Sequence, residues 1–123
     1  MQDRGWWMTA AGSGALTVMA GAFGAHALGD ALAPRLLAAF ETGVRYQAWH
    51  TLAILGVLAW RSSLPRAGQL AVLRLWALGT LLFSGSLYAL ALSGISLLGM
   101  ITPLGGLCLI VGWLALVYSA WRA

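Results

Sequence analysis

Apolar residues come in long runs separated by short polar breaks, a spacing suited to membrane-spanning helices rather than to strands. The first run, Trp6 to Leu28, carries no charged residue. At roughly 1.5 Å per residue it is long enough to cross a hydrocarbon layer about 30 Å thick. Trp6 and Trp7 stand at its start in the position of an interfacial aromatic anchor. A second run extends from Gly43 to Trp60, stops at Arg61 and is followed by a turn containing Pro65 and Arg66. The third begins near Gln69 and ends near Leu92, where Ser93-Gly94-Ile95-Ser96 breaks it. Thr102 then reads as an N-cap with Pro103 at the first helical position of a fourth helix, which ends near Trp121. The predicted spans are 6–28, 43–60, 70–92 and 102–121, within one transmembrane domain covering 1–123.

Gly29 to Thr42 differs from the rest, because Asp30, Arg35 and Glu41 stand among apolar residues. Leu32, Leu36, Ala39 and Phe40 recur at helical spacing, which predicts a short amphipathic helix lying at the membrane interface. Pro34 suits its first turn, and Glu41 and Arg45 form an i,i+4 pair in the favourable order. The expected fold is all-α: an integral membrane four-helix bundle with this interfacial helix between the first two spans.

Composition strengthens that picture. The chain of 123 residues is 61% apolar and 8% charged, whereas a soluble domain carries about a quarter charged residues to keep its surface wet. The seven cations are all Arg and are dispersed singly at the ends of the apolar runs. That placement fits interface anchors and topology signals, not a nucleic-acid surface. Ala25-His26-Ala27 has the form of a signal cleavage site. The run before it is long for a signal peptide, and Asp3 offsets Arg4, so the first span is expected to stay in the protein. Cys108 is the single cysteine, which excludes an intramolecular disulfide.

Lipid tails are as apolar as Leu, so helices in a membrane associate by close packing of small residues. Gly14 and Gly21, with Gly24 beside them, mark a packing surface on the first helix, and Gly105 and Gly112 mark one on the fourth. Polar groups gather toward one side of the membrane: His26, Tyr46, Gln47, His50, Ser84, Ser86, Tyr88 and Thr102. Tyr46 and His50 stand one turn apart, with Gln47 beside them on what reads as the same face. Facing lipid would be expensive for all three, so this face is expected to point inward. A pocket there would suit a lipid headgroup, a quinone ring or an anion. The favoured alternative is that these side chains satisfy one another and lock the bundle.

No metal or haem site is expected, since His26 and His50 have no carboxylate or thiolate to complete a ligand set. No cofactor is implied. No Ser–His–acid arrangement and no phosphate loop is present, and no span buries an Asp or Glu for proton transfer.

Several blocks carry a resemblance. They are Gly21-Ala22-Phe23-Gly24-Ala25-His26, Thr42-Gly43-Val44-Arg45-Tyr46-Gln47-Ala48-Trp49-His50, Phe83-Ser84-Gly85-Ser86-Leu87-Tyr88, Thr102-Pro103-Leu104-Gly105-Gly106 and Gly112-Trp113. Together they resemble the YgdD-like family of small inner-membrane proteins, a family of unknown function with mitochondrial relatives in animals. The resemblance implies a multi-pass, four-helix protein of the bacterial inner membrane, and it brings no substrate, cofactor or catalytic residue. The function expected is that of a non-enzymatic accessory or scaffold component, in contact with membrane lipids and packing with itself or a larger complex. The alternative is a lipid- or quinone-binding protein using the polar cluster. A transporter is disfavoured by the missing buried charges and inverted repeat.

Orientation follows from the cations. With four spans, Arg4, Arg61, Arg66, Arg74 and Arg122 share one side, leaving Arg35 and Arg45 on the other. The positive-inside rule places both termini in the cytoplasm. A reporter fused at Ala123 should report a cytoplasmic location, and one inserted between Asp30 and Thr42 the opposite side. A periplasmic C-terminus would refute this topology.

Overall fold

A computed structural model of the chain describes residues 2–123. α1 runs over Arg4–His26, α2 over Pro34–Ser63, α3 over Gln69–Ser93 and α4 over Thr102–Trp121, with a 3₁₀ turn at Ser96–Met100 before α4. Among the described residues there are no strands. Three stretches are long and apolar enough to cross a membrane: Arg4–His26, Gln69–Ser93 and Ser96–Trp121. α2 is long enough but more polar, and it is the helix that packs against both α1 and α3. Its Gln47, His50 and Thr51 find partners inside the bundle, which is why a central helix tolerates them.

The expected break between an interfacial helix and the second span is absent. α2 opens at Pro34, whose fixed φ suits a first turn, and continues through Thr42 and Gly43 without interruption. Gly43 is a contact point instead of a breaker. A Cβ there would lie 2.8 Å from Cε1 of Tyr88, and the Gly43 carbonyl accepts a 2.7 Å hydrogen bond from Ser84 Oγ. The missing side chain lets α3 close on α2, which offsets the roughly 0.5–1 kcal/mol helix penalty of glycine.

The helix ends have local causes. Asp3 adopts φ 63° and its carbonyl accepts the Trp7 N–H at 3.0 Å. Its carboxylate also receives Arg61 Nε at 2.8 Å, tying the start of α1 to the end of α2. Gln69 is fully buried and shapes the turn before α3: Oε1 accepts the Arg66 N–H at 2.8 Å and Nε2 donates to the Leu64 carbonyl at 3.1 Å. Gly94, at φ 72°, closes α3 in the left-handed conformation that glycine adopts without penalty. Thr102 does not cap α4. It is the first helical residue, preceded by Ile101, and its hydroxyl pairs with Ser86 Oγ at 2.6 Å.

The helices pack in chain order, α1 on α2, α2 on α3 and α3 on α4. The backbones of α1 and α3 nowhere approach within 8 Å, nor do those of α2 and α4. The arrangement is therefore a folded row rather than a closed ring, with lateral clefts between alternate helices. Its main core centres on Leu58, Val72, Leu73 and Trp76, all fully buried, with Ile54, Val57, Leu109 and, from α1, Ala10.

The closest seam lies between α3 and α4. Trp76 fills the space over Gly112, where a Cβ would meet its Cδ1 at 2.5 Å. Leu109 lies over Gly79 at 2.7 Å, and Gly105 faces the backbone nitrogen of Phe83 with no room for a methyl group. The α1 glycines are looser. Cβ atoms at Gly14 and Gly21 would sit 3.8 Å from Thr51 Cγ2 and 3.6 Å from Val44 Cγ1, and one at Gly24 would meet the Phe40 ring at 3.1 Å.

Gly105→Ala should therefore destabilise the bundle by about 1–3 kcal/mol through overpacking. Gly12→Ala should be neutral or slightly stabilising, because nothing lies within 4 Å of a Cβ there. Thermal unfolding in mild detergent would read both, and equal tolerance would contradict the seam.

Candidate functional site

Gln47 sits on the face of α2 turned toward α1, one turn before Thr51. Its Nε2 donates to Ser13 Oγ at 3.1 Å and approaches the Ser13 carbonyl at 3.2 Å. Its Oε1 accepts the Tyr88 hydroxyl of α3 at 2.7 Å. Ser13 Oγ and Thr51 Oγ1 form a further hydrogen bond at 2.7 Å. One carboxamide thus joins three helices, with its donors and its acceptor all engaged. Each such bond contributes a net stabilisation of about 0.5–1.5 kcal/mol, and leaving a buried partner unpaired costs more.

His50 is held from two sides. The Tyr46 carbonyl lies 2.8 Å from Nδ1, and Trp113 Nε1 lies 3.0 Å from Nε2. A carbonyl only accepts and an indole N–H only donates, so the proton belongs on Nδ1 and the ring is neutral. The imidazole packs edge-on between Trp76 and Trp113, at centroid distances of 6.0 and 5.8 Å. Trp113 bridges α4 to α2 where the backbones themselves do not meet.

The expected single cluster is divided into separate contacts. Successive helix residues point about 100° apart, so Gln47 faces α1 while Tyr46 and His50 face the side where α4 lies. Ser84 bonds to the Gly43 carbonyl, and Ser86 joins Thr102 while also donating to the Phe83 carbonyl at 3.0 Å. His26, at the end of α1, is exposed and makes no hydrogen bond to any of the others among the described residues. Nor do the described residues bring three or more His, Cys, Asp or Glu together where they would hold a metal ion. Ser13, Thr51 and Trp113 were not singled out as site residues by sequence reasoning. The available signal was hydroxyls in the middle of otherwise apolar spans, and an indole that needs an acceptor.

Two clefts remain open. The larger, about 730 Å³, lies between α1 and α3 with α2 as its floor. It extends from Trp6 and Thr9 at one end to Phe23 and Leu92 at the other, roughly 25 Å at 1.5 Å per residue along α1. Leu16, Met19 and Leu81 form its walls, while Ser13, Gln47, Thr51 and Tyr88 form a polar band along its base. The smaller, about 610 Å³, lies between α2 and α4 and is lined by Tyr46, Trp49, His50, Phe83, Leu109 and Trp113. No Asp, Glu or Arg lines either cleft among the described residues.

Comparison with known proteins places this architecture in a family. The family described as "Protein of unknown function (DUF423)" matches residues 20–106. A UPF0382 membrane protein of Haemophilus influenzae is 41% identical over 113 residues, covering 90% of this chain and 89% of the relative. The UPF0382 inner membrane protein YgdD of Escherichia coli K12 is 42% identical over 118 residues, with 92% and 86% coverage. The UPF0382 membrane protein YwdK of Bacillus subtilis is 41% identical over 107 residues, with 85% and 86% coverage. No solved structure matches the chain. With the family match extending over most of its length, and with relatives named as membrane proteins, this chain belongs to the DUF423 (UPF0382) family of membrane proteins of unknown function.

Proposed function

We propose that this protein is a non-enzymatic accessory component of the bacterial plasma membrane that holds a lipid alkyl chain between α1 and α3. The observation that carries the reading is the lateral cleft. Its volume of about 730 Å³ falls within the roughly 300–1,000 Å³ range of ligand cavities, and its walls are apolar over most of the helix length. An empty slot would forfeit dispersion contacts along its whole lining, and an alkyl chain from the surrounding bilayer restores them. The name of the E. coli relative, an inner membrane protein, supports the location. The arginine distribution supports cytoplasmic termini.

The polar residues serve the bundle in this reading. Gln47 has both ends of its amide engaged, and His50 has both ring nitrogens engaged. Neither is paired with a nucleophile, which speaks for a holding role rather than catalysis. The two walls of the cleft differ in firmness. α3 is clamped between α2 and α4, whereas α1 rests on α2 alone, held by the Gln47–Ser13 clasp and the Asp3–Arg61 pair. A guest would enter sideways from the lipid by displacing α1 slightly.

Gly85 lines the cleft with nothing within 4 Å of a Cβ, so Gly85→Leu should fill the slot without disturbing the fold. Native mass spectrometry from mild detergent should show lipid on the wild-type chain and little on Gly85→Leu, with thermal unfolding unchanged. A wild-type chain without lipid, or a variant that keeps it, would sink the reading.

The lock is tested separately. His50→Ala should destabilise the bundle by about 1–3 kcal/mol, since it strands the Trp113 N–H. His50→Gln should recover part of that loss in the same unfolding measurement.

A further inference from the structure

The second cleft has chemistry that the first lacks. Tyr46, Trp49, Phe83 and Trp113 give it four aromatic side chains, and neutral His50 forms part of its lining. The rings are already grouped: Tyr46 lies 4.6 Å from Phe83 and 5.0 Å from Trp49, centroid to centroid. These spacings are those of offset or tilted aromatic pairs, and such surfaces accept a further flat ring in the same way.

Two polar groups that line this cleft are left over, the Tyr46 hydroxyl and the indole N–H of the exposed Trp49. The Tyr46 hydroxyl forms no hydrogen bond with any described residue, although its backbone carbonyl is taken by His50. Its ring packs against Phe83, which stands near the middle of α3, so the hydroxyl lies within the hydrocarbon layer. Water is scarce there, and an unpartnered phenol is unfavourable. Trp76 Nε1 and Thr80 Oγ1 on α3 also lack a protein partner, but neither residue lines this cleft, whereas Tyr46 does.

We propose that the α2–α4 cleft binds a neutral quinone-type molecule, whose flat ring rests on the aromatic side chains and whose carbonyl oxygen accepts the Tyr46 hydroxyl. Neutrality follows from the lining, which contains no Asp, Glu or Arg. The depth separates a quinone from a glycerolipid. Ester oxygens of glycerolipids stay at the membrane interface, close to the helix ends, and do not reach the level of Phe83. A ring ketone on a long apolar tail dissolves in the hydrocarbon layer and brings its acceptor to that level. No electron transfer is involved; the protein holds the ring. This site lies on the other side of the α2–α3 pair from the cleft proposed for an alkyl chain, and neither proposal depends on the other.

The test uses the full chain in mild detergent, titrated with a decyl-tailed benzoquinone while tryptophan emission is recorded. Saturable quenching is expected, because Trp49 and Trp113 line the cleft. Tyr46→Phe should raise the Kd about tenfold, the equivalent of one hydrogen bond, and leave thermal unfolding unchanged, since no protein partner is lost. Gly106→Leu should abolish quenching from the α4 side; a Cβ at Gly106 meets only the Phe83 ring, at 3.7 Å, so the larger side chain extends into the cleft. Gly85→Leu, which fills the other cleft, should bind the quinone as wild type does. The proposal is overturned if Tyr46→Phe binds with unchanged Kd, or if decanol competes as well as the quinone. It is also overturned if Gly85→Leu, rather than Gly106→Leu, removes the quenching.

Discussion

A carboxamide buried inside a bundle of apolar helices has two N–H donors and an oxygen to satisfy, and little water to satisfy them with. Gln47 meets that demand on two other helices at once, through Ser13 on α1 and Tyr88 on α3. Because hydrogen bonds are directional, this fixes more than proximity. It sets the rotation of α2 about its own axis, and with it the placement of every other residue on that helix. Once Gln47 faces α1, His50 must face Trp113, Gly43 must face Tyr88, and the charged Glu41 and Arg45 are left exposed. The polarity that lowers α2 as a spanning segment is thus what makes it the axis of the bundle.

Around that axis two kinds of contact divide the structure. The α3–α4 seam rests on shape: Trp76, Leu109 and Phe83 occupy the hollows over Gly112, Gly79 and Gly105. The α1–α2 contact rests more on polar groups, since Gly14 and Gly21 leave ordinary van der Waals distances to their neighbours and only Gly24, under the Phe40 ring, is tight. Shape complementarity resists small displacements steeply, whereas a few hydrogen bonds allow a helix to tilt while they hold. The firm part of the molecule is accordingly α2, α3 and α4, with α1 as the movable wall.

Much of this was legible in the residues. The apolar runs, Pro34, Pro65, Pro103 and Gly94 mark helices and their ends, because chain stiffness and bilayer thickness act locally. The continuity of α2 was not legible. Glu41, Thr42 and Gly43 look like the end of an interfacial segment, and only the arrival of Tyr88 explains why a glycine belongs inside the helix. The polar residues of α2 and α3 were recognisable as inward-facing, but their grouping was not. Tyr46 and Gln47 are neighbours in the chain and face different helices, a separation that depends on where α1 and α4 lie. Ser13, Thr51 and Trp113 were missed for the same reason, since each acquires its role from a partner more than thirty positions away.

That the α1 backbone approaches only α2 also bears on how the molecule is held together. A helix with one backbone neighbour adds nothing to the contacts among the other three. α2, α3 and α4 stack through contacts between successive helices. Until that stack presents Gln47 and Arg61 at the right levels, Ser13 and Asp3 have nothing to dock against. Docking of α1 completes the hydrogen bonding of Gln47 and supplies one wall of the larger cleft, so the clasp that holds this helix also sets the width of that opening.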